Sequence, residues 1–132
     1  MEIRYLTTNQ IILINRWAVE KSGDPFVLEN ESSLEHLVEA IKYKYADKVF
    51  EESLVLKAAF ILDMIANKGH IFVEGNKRTA ITSTIAFLDL NGYRIDTSNQ
   101  DELVAFVRKV ARGELSLRAI SKWLQDRIKK RV

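Results

Sequence analysis

Within ten residues, His70-Ile71-Phe72-Val73-Glu74-Gly75-Asn76-Lys77-Arg78-Thr79, the chain sets an imidazole, a carboxylate, a glycine and two adjacent cations. An apolar helical pattern runs on from Thr79 to Leu90. The stretch reads as a loop that opens a helix. The first N–H groups of a helix lack internal partners, and the aligned peptide dipoles make that end positive, so anions bind there. Gly75 lets the backbone turn tightly and lets an anion come close. Lys77 and Arg78 place full positive charge in a first turn whose dipole opposes it. An absent anion explains them better than folding does. Magnesium is usually held by one or two carboxylates together with phosphate oxygens, which makes Glu74 the candidate ligand. An imidazole can draw a proton from a hydroxyl near neutral pH and so raise a rate about 10²–10⁴-fold, which makes His70 the candidate base. Ile71 and Phe72 are expected to pack beneath the loop and fix where His70 and Glu74 point.

Taken singly, these residues have ordinary structural explanations. A lone histidine at a helix–loop junction more often caps or hydrogen-bonds than catalyses, and a glutamate near a helix start complements the dipole. Their concentration in so few positions favours function. Other chemistries fit less well. A Walker-type phosphate loop requires G-x-x-x-x-G-K-[ST] after a strand. Here Gly69 to Gly75 is one residue too long, Asn76 separates Gly75 from Lys77, and a helix precedes the loop. His36, with Glu35 and Glu39 nearby, reads as a surface residue rather than a zinc ligand.

The elements that position the loop read as helices. The 132 residues match one ordinary domain, 1–132, and the 47% hydrophobic content is enough for a core. Thr7-Thr8-Asn9-Gln10 caps a first helix with Ile11, Ile14, Trp17 and Ala18 inward, ending near Ser22-Gly23-Asp24-Pro25. Ser32-Ser33-Leu34-Glu35 is a capping box for a second, with Leu34, Leu37, Val38 and Ile41 inward. Residues 46–52 read as a connecting loop. Ser53 opens a third helix, apolar on several faces and therefore central, which stops at Asn67-Lys68-Gly69 with Gly69 as the left-handed residue. A fourth runs from Asn76 to Asn91. A fifth is capped at Asn99 and closes near Gly113. Ser116 caps a sixth, with Leu117, Ile120, Trp123, Leu124 and Ile128 inward and Lys129-Lys130-Arg131 at its cation-favouring end. Tyr93-Arg94-Ile95 and Phe26-Val27-Leu28 are at most short extended pieces, and Trp17 and Trp123 read as core. The fold class is all-α, a compact bundle of about six helices.

Composition limits the partners. Cysteine is absent, which excludes disulfides and thiolate metal sites and suggests a reducing compartment. The start, MEIRYLTTNQ, lacks the pattern of a secretory signal, and no apolar run is long enough to span a membrane. Residues 1–66 hold 7 Lys/Arg against 11 Asp/Glu, whereas residues 67–132 hold 13 against 7, so the loop lies in the basic half. That suits an anionic ligand or an acidic partner. Basic clusters with interleaved aromatics are missing, so direct nucleic-acid binding is not expected.

At the loop the sequence resembles the Fic/Doc family, and more closely its Doc (death-on-curing) toxin branch. The Fic pattern H-P-F-x-[DE]-G-N-G-R-x-x-R is met here by HIFVEGNKRTAI. His70, Phe72, Glu74, Gly75, Asn76 and Arg78 match, while Ile71, Lys77 and Ile81 replace the proline, the second glycine and the closing arginine. The change to N-K-R-T-A is similar to the Doc branch. The resemblance implies a Fic/Doc-like fold, His70 as the base that activates a target hydroxyl, and Glu74 on magnesium. It also implies an anion hole of Gly75, Asn76 and Lys77, with Arg78 on the phosphates and Lys68 assisting. Fic enzymes usually transfer AMP from ATP. Doc resembles them in fold but is a kinase that phosphorylates a threonine of elongation factor Tu and stops translation. Lysine in place of the second glycine fills room a diphosphate would need and supplies a point charge. Loss of the closing arginine removes a second clamp. Both favour phosphoryl transfer, where positioning and charge neutralisation dominate. The implied protein is a cytoplasmic toxin using ATP and magnesium, controlled by a Phd-like antitoxin that folds onto it. The alternatives are a Fic-type AMP transferase and a catalytically inactive helical binding module. In this resemblance residues 46–52 lie where the family has a flap that aligns the target segment.

Overall fold

Most of the helices begin where a side-chain oxygen can take an orphan backbone N–H. The computed structural model describes residues 2–131. The chain runs α1 (Thr8–Ser22), α2 (Glu31–Ala40), α3 (Phe50–Asp63), α4 (Asn76–Leu90), β1 (Tyr93–Ile95), α5 (Gln100–Ala111), α6 (Leu117–Gln125) and β2 (Ile128–Lys130), with a π-helical turn, Met64–Lys68, prolonging α3. The architecture is all-α with one small ribbon. The Thr7 hydroxyl accepts from the Gln10 N–H at 3.1 Å, and Gln10 Oε1 accepts from the Thr7 N–H at 2.8 Å, the reciprocal box read from the sequence. Asn99 and Ser116 cap α5 and α6 as expected. Each such cap stabilises by about 1 kcal/mol. Two starts differ from expectation. α2 is capped by Asn30, whose Oδ1 accepts from the Ser33 N–H at 3.2 Å and from the Ser32 hydroxyl at 3.0 Å. An amide caps as well as a hydroxyl, and this register puts Glu31 in the first turn, where the dipole favours it. α3 begins three residues before Ser53 with no side-chain cap; Glu51 and Glu52 answer its dipole instead.

α3 is the central helix. Leu54, Ala58, Ala59 and Leu62 are fully buried, and α4 and α6 pack against it. Fully burying each leucine stabilises by about 1.5–3 kcal/mol. The buried face of α1 is Ile11, Asn15, Ala18 and Val19, rotated from the Ile11–Ile14–Trp17–Ala18 stripe. Trp17 is 46% exposed and so is not core; the charged end of Arg78 lies over its ring at 5.0 Å and that of Lys21 at 5.3 Å. Trp123 is half-buried and stacks on Phe106, with ring centroids 3.8 Å apart.

The tail corrects the sequence reading. α6 stops at Gln125, and Ile128 lies on β2 rather than on the helix. β2 pairs antiparallel with β1 in the register Tyr93↔Lys130, Arg94↔Lys129 and Ile95↔Ile128. Backbone groups near β1 find partners there: the Arg131 N–H donates to Gly92 O at 2.8 Å and the Asp96 N–H to Arg127 O at 2.9 Å. Lys129 and Lys130 are therefore ribbon residues, not a helix end. Among the described residues no helix is long and apolar enough to cross a membrane.

The piece at Phe26–Leu28 supports the loop directly. Leu28 bridges Phe72. The Glu29 and Asn30 N–H groups donate to Ile71 O at 2.8 and 3.0 Å, and the Val73 N–H donates to Val27 O at 3.1 Å.

Candidate functional site

The approach to His70 differs from the sequence reading in a way that bears on the site. The π-helical turn closes with the Gly69 N–H on Met64 O at 2.7 Å. Gly69 has φ −83° and is not the left-handed residue; His70 is, with φ 46°. Gly69 is needed for space instead. A Cβ there would lie 2.6 Å from Met64 O and 3.0 Å from Ile71 Cγ1. A left-handed backbone costs a residue with a Cβ about 1–2 kcal/mol. Among the described residues the other non-glycine residue with positive φ is Tyr45, at 60°. Its phenol lies close enough to Asp63 and Lys68 to feel their charges; burial, the largest influence, raises its pKa, and Lys68 opposes that. Such strain tends to collect at functional sites.

Beyond His70 the loop is fastened from below, as expected. Ile71 and Phe72 are buried in the core. Asn76 closes the loop on itself: its Oδ1 accepts from the Phe72 N–H at 3.2 Å, and its Nδ2 donates to Phe72 O at 2.6 Å. The side chain of Asn76 is thus spent on the loop, and only its backbone N–H is free for a ligand. From α1, Asn15 Nδ2 donates to Glu74 O at 2.9 Å and to Thr79 Oγ1 at 3.0 Å. Gly75 has φ 77° and precedes α4 directly. A Cβ on it would meet Asn15 Nδ2 and Val19 Cγ1, both at 3.2 Å. With its backbone held in this way, the His70 side chain is exposed and makes no hydrogen bond among the described residues.

The start of α4 is open. No side chain caps it and its first turn holds no acidic residue, unlike α1, α2, α5 and α6, which all have side-chain caps. Lys77 and Arg78 are both exposed and form no ion pair among the described residues. The tip therefore combines uncapped N–H groups, the positive end of a dipole and two cations. Lys68 is different: its ammonium lies 3.0 Å from the Asp63 carboxylate, which is almost fully buried. A cleft of about 390 Å³ opens between α4 and α5, with Lys77, Arg78 and Arg108 on its walls beside Ile81, Leu103 and Val107. A larger one, about 470 Å³, lies between α3 and α6 with Tyr45 at its edge. It too has cations, Lys48, Arg118 and Lys122, but also the carboxylate of Glu52 and none of the loop residues, so the α4–α5 cleft has the better chemistry for an anion.

The Glu74 side chain is exposed and forms no ion pair among the described residues. Among them, no group of three or more His, Cys, Asp or Glu side chains could cage a metal. A magnesium ion here would need phosphate oxygens to complete its shell, which is its usual habit. The residues fit magnesium arriving with a polyphosphate and do not fit a resident metal.

His70, Glu74, Gly75, Asn76, Lys77 and Arg78 thus share one loop and helix tip, while Lys68 stands beside them, held by Asp63. Asn15 was missed. Its signal was a polar residue four positions from Ile11 and three from Ala18, inside a buried stripe.

Residues 5–88 match the family described as Fic/DOC. A curated relative, "Protein kinase doc" of Escherichia phage P1, is 23% identical over 123 residues, 93% of this chain and 94% of its own.

Proposed function

Because the chain belongs to the Fic/DOC family, we propose that residues 1–132 form one Doc-type toxin domain that transfers the γ-phosphate of ATP to a protein hydroxyl. The acceptor in this reading is a threonine of a translation factor, elongation factor Tu. One observation carries it: an uncapped helix tip, bearing two cations with no carboxylate partner among the described residues, stands next to an exposed histidine with a left-handed backbone. The name of the phage relative supports it.

In this mechanism the tip of α4 holds the outer phosphates through the N–H groups of Gly75, Asn76 and Lys77 and through the side chains of Lys77 and Arg78. Lys68 joins them from the edge. The nucleoside runs toward the α4–α5 cleft, whose apolar wall suits a base. His70 takes the proton of the acceptor hydroxyl as its oxygen forms a bond to the γ-phosphorus. The bond from that phosphorus to the bridging oxygen breaks, and ADP leaves. Glu74 would hold magnesium, which when bound neutralises charge on the phosphates.

Incubation of the protein and elongation factor Tu with γ-labelled and, separately, α-labelled ATP tests the reaction. Label is expected on the factor from the γ position alone. Label from the α position would make the enzyme an AMP transferase. Lys77→Ala gives a second check. Losing one charge-assisted contact is expected to slow transfer about ten-fold or more. The melting temperature should hold or rise slightly, because a cation that opposes the dipole is gone. A large fall in Tm would contradict the assignment of Lys77 to the ligand.

The partner that controls the toxin is a Phd-like antitoxin. Apolar surface along α1 and the end of α4 is open for it, with Leu13 at 63% exposure and Leu90 at 39%. In this reading the protein works in the cytoplasm, where ATP and the translation machinery are.

A further inference from the structure

The apolar face of α1 is interrupted by one buried polar side chain, Asn15, with no exposed surface. Its Nδ2 reaches Glu74 O and Thr79 Oγ1, while its Oδ1 is buried without a partner. A buried acceptor left unpaired is unfavourable, so helix packing alone does not explain an amide here. The geometry of the Glu74–Gly75 peptide does. The C=O and N–H of a trans peptide point in opposite directions. The carbonyl of the Glu74–Gly75 peptide is drawn inward onto Asn15. Its N–H, on Gly75, is thereby turned outward at the tip of α4, and it donates no hydrogen bond among the described residues. The contact is tight: a Cβ on Gly75 would stand 3.2 Å from Asn15 Nδ2, so the turn and the amide pack closely against each other.

We propose that Asn15 is a positioning residue. By holding the Glu74 carbonyl inward it aims the Gly75 N–H, and with it the first anion contact of the site, outward. The inference rests on the reading of this tip as a polyphosphate site, and Asn15 itself touches no ligand.

Asn15→Leu, branched at the same carbon and unable to donate, tests it in ¹⁵N-labelled protein titrated with inorganic pyrophosphate. The Gly75 amide resonance is expected to move in the free variant. Pyrophosphate should bind about ten-fold more weakly, as for one lost contact to an anion. A variant with the Gly75 resonance of the parent and the same affinity would mean that Asn15 only packs, and the proposal would be wrong. If the parent protein binds no pyrophosphate, the reading of the tip fails, and an unmoved Gly75 resonance in the variant would separately rule out a positioning role for Asn15. Should Asn15→Leu not fold, the parent gives its own answer. The side-chain amide protons of Asn15 are expected to shift together with the Gly75 N–H as pyrophosphate is added. A silent Asn15 amide beside a shifting Gly75 overturns the coupling.

Discussion

His70→Ala is expected to give a folded, ATP-binding protein that transfers phosphate about 10²–10⁴-fold more slowly. The size of the loss follows from removing the group proposed to accept the proton of the acceptor hydroxyl. The fold should survive for two reasons. The imidazole is exposed and gives up no hydrogen bond among the described residues. Alanine at φ 46° also meets the same Cβ crowding as histidine, so the backbone strain is nearly unchanged. Transfer from γ-labelled ATP and a thermal melt, run on the same preparation, separate chemistry from stability. Growth arrest that persists unaltered in cells expressing His70→Ala would remove His70 from the mechanism and leave the chain as a binding module.

Gly75→Ala should damage both stability and function. At φ 77° a Cβ costs about 1–2 kcal/mol by itself. The new methyl would also press on Asn15 Nδ2 and Val19 Cγ1, each 3.2 Å away and each on a buried residue of α1. For a chain of this length the combined effect is a fall in Tm of about 6–15 °C. Relief would come from tilting α1 away or from turning the Glu74–Gly75 peptide, and either moves the N–H groups proposed to hold the nucleotide. Calorimetry with and without ATP reads both: the melting point should drop, and the stabilisation by ATP should disappear. A variant that melts like the parent and keeps its response to ATP would show that the turn is neither tight nor part of the site.

Much of this architecture could be read from local chemistry. The boxes and caps at Thr7, Asn99 and Ser116 are set within three residues, so the sequence alone specifies them. The loop was legible for the same reason: Ile71 and Phe72 are adjacent large apolar residues, and they go to the core. What escaped depends on partners distant in sequence. Trp17 looked like core by spacing, but α1 is rotated by the contact of Asn15 with Glu74 and Thr79, 59 and 64 residues away. Ile128 continued a helical pattern, yet the backbone of β1 took the segment as a strand. Gly69 was expected to supply a left-handed turn, and a π-helical turn upstream shifted that conformation by one residue onto His70. No local rule anticipates an extra residue wound into a helix end. The role of Lys68 likewise depended on Asp63, which lies one helical turn back and points the same way.

That shift of the left-handed conformation onto His70 has a consequence for anyone breeding tougher versions of this protein. Glycine and asparagine sit comfortably at such a dihedral, and either one at position 70 would relax the loop. On the proposed role of His70, heat survival and activity therefore pull the same codon in opposite directions, as happens where activity depends on strain. In that reading a library sorted only for endurance would fill with inactive chains, each sturdier than the parent.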